Sequence, residues 1–225
     1  LDASEGLVLV QRNAATLFVD GRYIAAAREF RTRALRVTDR TELERVMKPV
    51  RRCGFEEQHV TAARLRRWKT LFKNTKFVHT LGLTEGLRRK KEPTEIIRMK
   101  RALKITDAVL KIIPRLLKVG MAEKELAAKL LIACLQRGAD GLAFDPIVAF
   151  GASSSEPQHR PGDRRVRSKD IVQIDIGARY RGYCSDRCEV YFIGEPTPEQ
   201  RRVYGAIREA QDAAKKLAKA GTGCA

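Results

Sequence analysis

The chain has 225 residues, of which 44% are apolar, 6% aromatic and 32% charged, and its 45 lysines and arginines outweigh 27 acids to give a net charge of +18. No stretch approaches the ~18 consecutive apolar residues that a membrane-spanning helix needs, so a membrane-spanning helix in this sequence is excluded. The length fits one large domain or two small ones.

The charge and the cysteines limit the classes of partner. A charge of +18 allows an anionic partner such as nucleic acid. A solvated basic surface is the favoured interpretation, because the cations lie mostly on predicted helices and are not interleaved with aromatic residues. The five cysteines form no C-x-x-C pair, which argues against a zinc ribbon or finger. Reduced thiols are typical of a cytoplasmic protein.

The first part of the chain, residues 1–86, alternates predicted strands and helices, which is the pattern of an α/β domain. Apolar runs separated by turn residues predict strands, and apolar residues at helical spacing predict helices. The predicted elements are a hairpin over residues 7–19, a turn at 20–21, helices over 22–30, 41–52 and 61–72, and strands over 35–37 and 77–80.

A second domain is predicted over residues 87–225, starting with a basic linker at 87–93. Thr94 is expected to cap a long helix, and Pro114 to kink that helix or end it. The remaining predicted elements are a helix over residues 123–137, strands over 147–150, 171–176 and 183–193, and an amphipathic helix over 198–219. Helices followed by antiparallel strands indicate an α+β domain.

The most informative segment contains two aspartates on either side of a predicted hairpin turn. If Tyr180 and Arg181 form the loop, Asp175 lies directly opposite Asp186. Cβ atoms of opposed residues are ~4.5–5.5 Å apart, so the two carboxylates would repel unless a cation lay between them. A divalent metal would remove the conflict. The alternative is a surface hairpin with two unrelated acids.

The same segment carries a resemblance to a known family. Residues 175–186 (DIGARYRGYCSD) resemble the D-x-G-A-x-Y-x-G-Y-x-S-D segment of the Xaa-Pro aminopeptidases and Xaa-Pro dipeptidases, metallopeptidases of the pita-bread fold. Further segments are similar to that family in the same order along the chain: 17–23, 87–102, 147–164 and 194–200. The resemblance implies a partial creatinase-like α/β domain followed by a partial pita-bread domain.

The resemblance also implies a chemistry. In that family two Asp, one His and two Glu hold two divalent ions (Mn, Co or Zn), and a bridging hydroxide attacks the peptide carbonyl. Asp175 and Asp186 match the two aspartate ligands. The substrate would be a peptide with proline in second position, and we expect a homodimer of the intact protein. The other three ligands would lie beyond residue 225 and part of the first domain before Leu1, so this chain alone is expected to be inactive.

Residues 147–164, which include the loop at 151–164, resemble the segment that carries a substrate-contacting histidine in the family. The family has Pro-His there, whereas this chain has Pro157 followed by Gln158, with the histidine one place later as His159. Gln158, His159 and Arg160 are therefore the candidate substrate contacts, with His159 as the candidate catalytic residue. A solvent-exposed histidine without such a role is the alternative.

A second departure follows Asp186. The family tends to have Thr-Arg-Thr soon after its second aspartate, whereas this chain has Arg187-Cys188-Glu189. Together with Gln158 and the positive charge, this keeps another interpretation open, in which the chain is a non-catalytic pita-bread module that binds peptide, histone or RNA.

Overall fold

A computed structural model describes residues 6–223, which divide into two compact units, one up to Lys90 and one from Lys91 onward. The division predicted from the sequence lies between residues 86 and 87. The mixed α/β class of the first unit and the α+β class of the second are as expected. Among the described residues, no helix is both long enough and apolar enough to cross a bilayer.

The first unit contains two small sheets with short helices. In one sheet β2 lies between β1, which is antiparallel to it, and β3, which is parallel; in the other, β4 and β5 are parallel. The elements are β1 Gly6–Val10, β2 Ala15–Val19, α1 Ile24–Arg28, β3 Leu35–Asp39, α2 Leu43–Met47, β4 Arg52–Glu56, α3 Ala62–Leu71, β5 Lys76–Thr80 and α4 Leu83–Arg89.

Three of the sequence predictions for this unit were wrong in extent. The helix expected over residues 41–52 ends at Met47, because Pro49 lacks an N–H and restricts the residue before it, and the chain then forms the unpredicted strand β4. The helix expected over 22–30 is confined to Ile24–Arg28. Part of the expected linker at 87–93 is helical, since α4 runs to Arg89.

The second unit packs two of its helices against two three-stranded sheets. Its elements are α5 Pro93–Leu110, α6 Ile113–Leu116, α7 Glu123–Gln136, β6 Gly141–Leu142, β7 Ile147–Phe150, β8 Ile171–Ile176, β9 Ala178–Tyr180, β10 Tyr183–Cys184, β11 Arg187–Phe192 and α8 Pro198–Leu217. Apolar residues of α5 and α7, including Ile105 and Leu126, form one buried cluster with Val172 and Ile174 of β8.

The two sheets of this unit are connected by one bent run of chain. β8 lies between β11 and β7, and β9, which follows directly after Gly177, lies between β10 and β6. All of these pairs are antiparallel. The strand predicted over residues 183–193 is therefore two strands, interrupted at Ser185 and Asp186.

Helix ends in this unit explain two further differences. The long helix begins at Pro93, not after Thr94: the Glu95 carboxylate accepts a 2.6 Å hydrogen bond from the backbone N–H of Glu92, which satisfies a free amide of the helix start. α5 ends at Leu110, and Pro114 lies in the first turn of the short α6. Of the two expectations for Pro114, a kink or a helix boundary, the structure has the boundary. Thr197 caps α8.

Candidate metal centre

Asp175 lies on the half-exposed face of the central strand β8. Along this strand Val172, Ile174 and Ile176 are buried among the helices, and the alternate residues are only partly covered. Because side chains alternate between the two faces of a strand, Asp175 points away from the helical side. The apolar run before it therefore fixes which face the carboxylate occupies.

The hairpin that follows has a different register from the expected one. Its loop is Arg181 and Gly182, with φ of +47° and +79°, and Tyr180 pairs with Tyr183. Positive φ at both loop residues is the two-residue turn that suits twisted strands, and glycine adopts it without strain. Asp175 consequently lies opposite Cys188, not opposite Asp186. The predicted direct pairing of the two aspartates was wrong.

Even so, a buried polar junction holds the two aspartates close together. Thr106 of α5 and Ser185 make a 2.8 Å hydroxyl–hydroxyl hydrogen bond. The backbone N–H of Ala178 donates to both hydroxyls, at 3.0 Å to Thr106 and 3.1 Å to Ser185. The break between β10 and β11 is thus tied to the bend between β8 and β9, and Asp186 directly follows Ser185.

Gly177 lets the two chain segments approach at this junction. A Cβ atom there would lie 1.9 Å from the backbone oxygen of Ser185 and 2.9 Å from the Cβ of Ala143. Only glycine has room in this position. The glycine between the two strands is therefore part of what brings Asp186 beside Asp175.

The electrostatics of Asp175 show the consequence. Burial raises the pKa of the Asp175 carboxyl, and the charge of Asp186, which lies close enough to share a proton with it, raises that pKa further. The Oδ1 atom of Asp175 is buried and has no hydrogen-bond partner. A cation between the carboxylates would remove the repulsion and give the orphaned oxygen a ligand bond, so these residues fit a divalent metal.

Within residues 6–223, no cluster of three or more His, Cys, Asp or Glu side chains has an arrangement that could hold a metal ion. The part of the chain that the structure describes therefore offers the aspartate pair as two carboxylate ligands and no more. Neighbouring side chains are engaged otherwise: Arg187 forms ion pairs with Asp107 of α5, at 3.3 Å, and with Glu189.

The loop at residues 151–164 places its three candidate residues differently. Gln158 and Arg160 are exposed. His159 is not solvent-exposed, since 14% of its side chain is accessible, and its ring lies between Glu123, at 2.8 Å, and Glu156, at 3.0 Å. The substrate-binding and catalytic assignments of these residues stay predictions.

The residues that hold the centre and the loop in place were not predicted from the sequence; they are Thr106, Gly177, Ser185 and Glu123. Glu123 and His159 are 36 positions apart, and Thr106 and Ser185 are 79 apart, so no local pattern links them. The one available signal was Gly177, a glycine directly after a buried strand, which often marks a bend or a close backbone approach.

Comparisons with known proteins agree on both units. Residues 97–225 match the model for metallopeptidase family M24, and residues 2–90 match the creatinase/prolidase N-terminal domain. An uncharacterized peptidase of Bacillus subtilis is 32% identical over 162 residues, which cover 72% of this chain and 46% of the relative. The chain thus spans about half the length of the curated relatives it matches.

Solved structures resemble the chain closely. The X-Pro aminopeptidase from Thermotoga maritima matches with a TM-score of 0.87 and 32% identity, over 97% of this chain and 64% of that chain. The Xaa-Pro dipeptidase from Bacillus anthracis matches with a TM-score of 0.86 and 29% identity, over 94% and 61% respectively.

Proposed function

The chain belongs to metallopeptidase family M24, and from this premise we propose that the whole protein cleaves peptides with proline in second position in a metal-dependent reaction, to which this chain contributes two of the metal ligands. The observation that carries the proposal is the aspartate pair: Asp175 and Asp186 are close in space, and a buried oxygen of Asp175 has no partner. The neighbouring structures support the substrate class, since their names describe X-Pro and Xaa-Pro peptidases.

Asp175 and Asp186 are the residues that would hold the metal. When bound, a divalent ion lowers the pKa of water towards neutrality and polarises a carbonyl, which is the chemistry that peptide hydrolysis needs. Carboxylate ligands suit hard ions such as manganese. Two divalent ions per site (Mn, Co or Zn), a homodimer of the intact protein and a cytoplasmic location belong to this proposal.

The chain's own residues bind and orient the peptide. In the proposal, the exposed amide of Gln158 donates a hydrogen bond to a peptide carbonyl, where a histidine would have supplied a charged donor at acidic pH. The exposed guanidinium of Arg160 can pair with a peptide carboxylate, for which its planar donor arrangement is suited. Because Gln158 does not titrate, its contact is independent of pH.

The test is metal binding by the Asp186→Asn variant. Manganese is paramagnetic and broadens the NMR signals of nearby nuclei even when binding is weak. We expect substoichiometric Mn²⁺ to broaden the amide signals of residues 175 and 186 in the wild type, and this broadening to disappear in the variant. The control variant Asp212→Asn removes the same charge from the exposed helix α8, and it should keep the broadening at residues 175 and 186.

The variant should also keep its fold. Without metal, Asp186→Asn removes the charge that repels Asp175, so its stability in urea should equal or exceed that of the wild type. Unchanged broadening around Asp175 in the variant, or first broadening at another site, would refute the metal assignment.

The departures from the family pattern support a second candidate function, a non-catalytic binding module. Arg187 is held by Asp107 and Glu189, in the segment where the family tends to have Thr-Arg-Thr, and Gln158 replaces a histidine. Nucleic-acid affinity that falls steeply with added salt would favour this candidate. Salt-insensitive or absent binding would exclude nucleic acid as the partner.

A further inference from the structure

One buried carboxylate fastens the loop at residues 151–164 to helix α7. Glu123, in the first turn of this helix, has 1% of its side chain exposed. Its Oε1 accepts a 2.9 Å hydrogen bond from the backbone N–H of Phe150, at the start of the loop. Its Oε2 accepts from the backbone N–H of Gly162, at 3.0 Å, and contacts Nε2 of His159 at 2.8 Å. Both ends of the loop and its histidine thus meet at one side chain.

The histidine is held on both sides. Nε2 of His159 faces Glu123, and Nδ1 faces Glu156 of its own loop at 3.0 Å. A neutral imidazole can donate from one nitrogen only, so both contacts are hydrogen bonds when the ring is protonated. Lys124 and Asp163, which adjoin these segments in the chain, pair with each other. The ring therefore has no nitrogen left for a substrate.

The residues on either side of His159 are free. Gln158 and Arg160 are exposed, and within residues 6–223 neither side chain makes a hydrogen bond or an ion pair. The hydrogen-bonded imidazole of His159 is thus flanked in the sequence by two polar side chains, those of Gln158 and Arg160, that are available to bind a ligand.

We propose that His159 is a positioning residue: clamped between Glu123 and Glu156, it fixes the loop so that Gln158, and not His159, contacts the peptide. This rests on the proposed function for the peptide contact, whereas the clamp itself does not depend on it. The clamp sets where the loop backbone lies, and it leaves the polar contact with the substrate to the neighbouring neutral amide.

The clamp is tested by amide hydrogen exchange measured residue by residue. In His159→Leu, Glu123 keeps its backbone donors but loses the ring, so we expect the protection of the Gly162 amide to fall about tenfold or more. The Ile174 amide in β8 should stay within about twofold, because the core is untouched. His159→Gln, which keeps an N–H of similar reach, should recover most of the protection.

Two results would overturn the clamp. One is unchanged Gly162 protection in His159→Leu. The other is an equal loss at Ile174, since the histidine would then support the whole unit and not the loop.

The division of roles is tested by titrating an Ala-Pro-containing peptide in the presence of Mn²⁺. Gln158→Ala should weaken peptide binding about tenfold without changing Gly162 protection, whereas His159→Leu should change both. If the peptide instead speeds Gly162 exchange in the wild type, the ring leaves Glu123 to reach the substrate and the proposal is wrong. If the wild type binds neither Mn²⁺ nor peptide, the proposed function fails, and the exchange data alone decide the clamp.

Discussion

Replacing Gly177 with alanine tests the packing that brings the two aspartates together. The added Cβ would lie 1.9 Å from the backbone oxygen and 2.9 Å from the backbone carbon of Ser185, and 2.9 Å from the Cβ of Ala143. The closest of these atoms belongs to the backbone, so no side-chain rotation can relieve the overlap. The chain around Ser185 has to move away from the central strand.

The size of that movement sets the expected cost. A carbon and a carbonyl oxygen in favourable contact are about 3.3–3.6 Å apart, so the two segments must separate by more than about 1 Å. Overpacked cores usually lose about 1–3 kcal/mol, and sometimes more. Since the shift would also disturb the 3.0 Å hydrogen bond from the Ser185 N–H to the Ala178 carbonyl, we expect Gly177→Ala to cost about 3 kcal/mol or more.

Urea unfolding measures this cost, and another glycine supplies a matched control. Gly205 lies within helix α8, with no atom in the space that a Cβ would occupy. Alanine is favoured over glycine in a helix, so Gly205→Ala should gain up to about 1 kcal/mol. A loss below about 1 kcal/mol for Gly177→Ala, or equal effects of the two substitutions, would show that the close approach at Ser185 does not constrain the site.

Two further predictions concern the polar groups that hold the centre and the loop. Thr106→Val removes a buried hydroxyl that accepts a hydrogen bond from the Ala178 N–H, so it should lower the free energy of unfolding in urea by about 1–2 kcal/mol. Thr106→Ser keeps the hydroxyl and should lower it less. A valine variant as stable as the wild type would contradict this. The Glu123 contact raises the pKa of His159. The wild type should therefore be more stable than His159→Gln by its full margin below about pH 6.5, and this margin should disappear as pH rises through the raised pKa. A margin that grows from pH 6 to 9 would refute this pairing. Burial acts to raise the pKa of Glu123, but its hydrogen bonds, led by the one from His159, outweigh burial and lower that pKa. The stability that the ionised carboxylate contributes is therefore present above about pH 4.3 and lost as pH falls through the lowered pKa.

The sequence predicted the fold better than the contacts within the site. Periodicity alone indicated both domain classes, and the 175–186 segment indicated the family, because these signals are local. The predicted hairpin register is wrong because it has Tyr180 and Arg181 as the loop. The turn Arg181-Gly182, with glycine in its second position, is the stronger hairpin signal, and it moves each strand by one residue.

The clamp on the loop was beyond reach for a different reason. A glutamate at the start of a helix usually stabilises the helix end and stays in water, and nothing around Glu123 in the sequence indicates burial. Only the folded chain brings Phe150, His159 and Gly162 to the same carboxylate. Such a site depends on contacts between distant segments, which spacing along the chain does not encode.

The metal proposal does not depend on the predicted register, because side chains alternate between the two faces of a strand. With Asp175 opposite Cys188, Asp186 lies two positions further along the partner segment, and positions two apart share a face. Diagonal neighbours of this kind remain within reach of each other's side chains. A slip of one residue in the pairing would instead have turned Asp186 to the opposite face and separated the acids. The centre therefore requires a strand register that keeps Asp175 and Asp186 on the same face, and the bend at Gly177. Both are set by residues that hold no metal themselves.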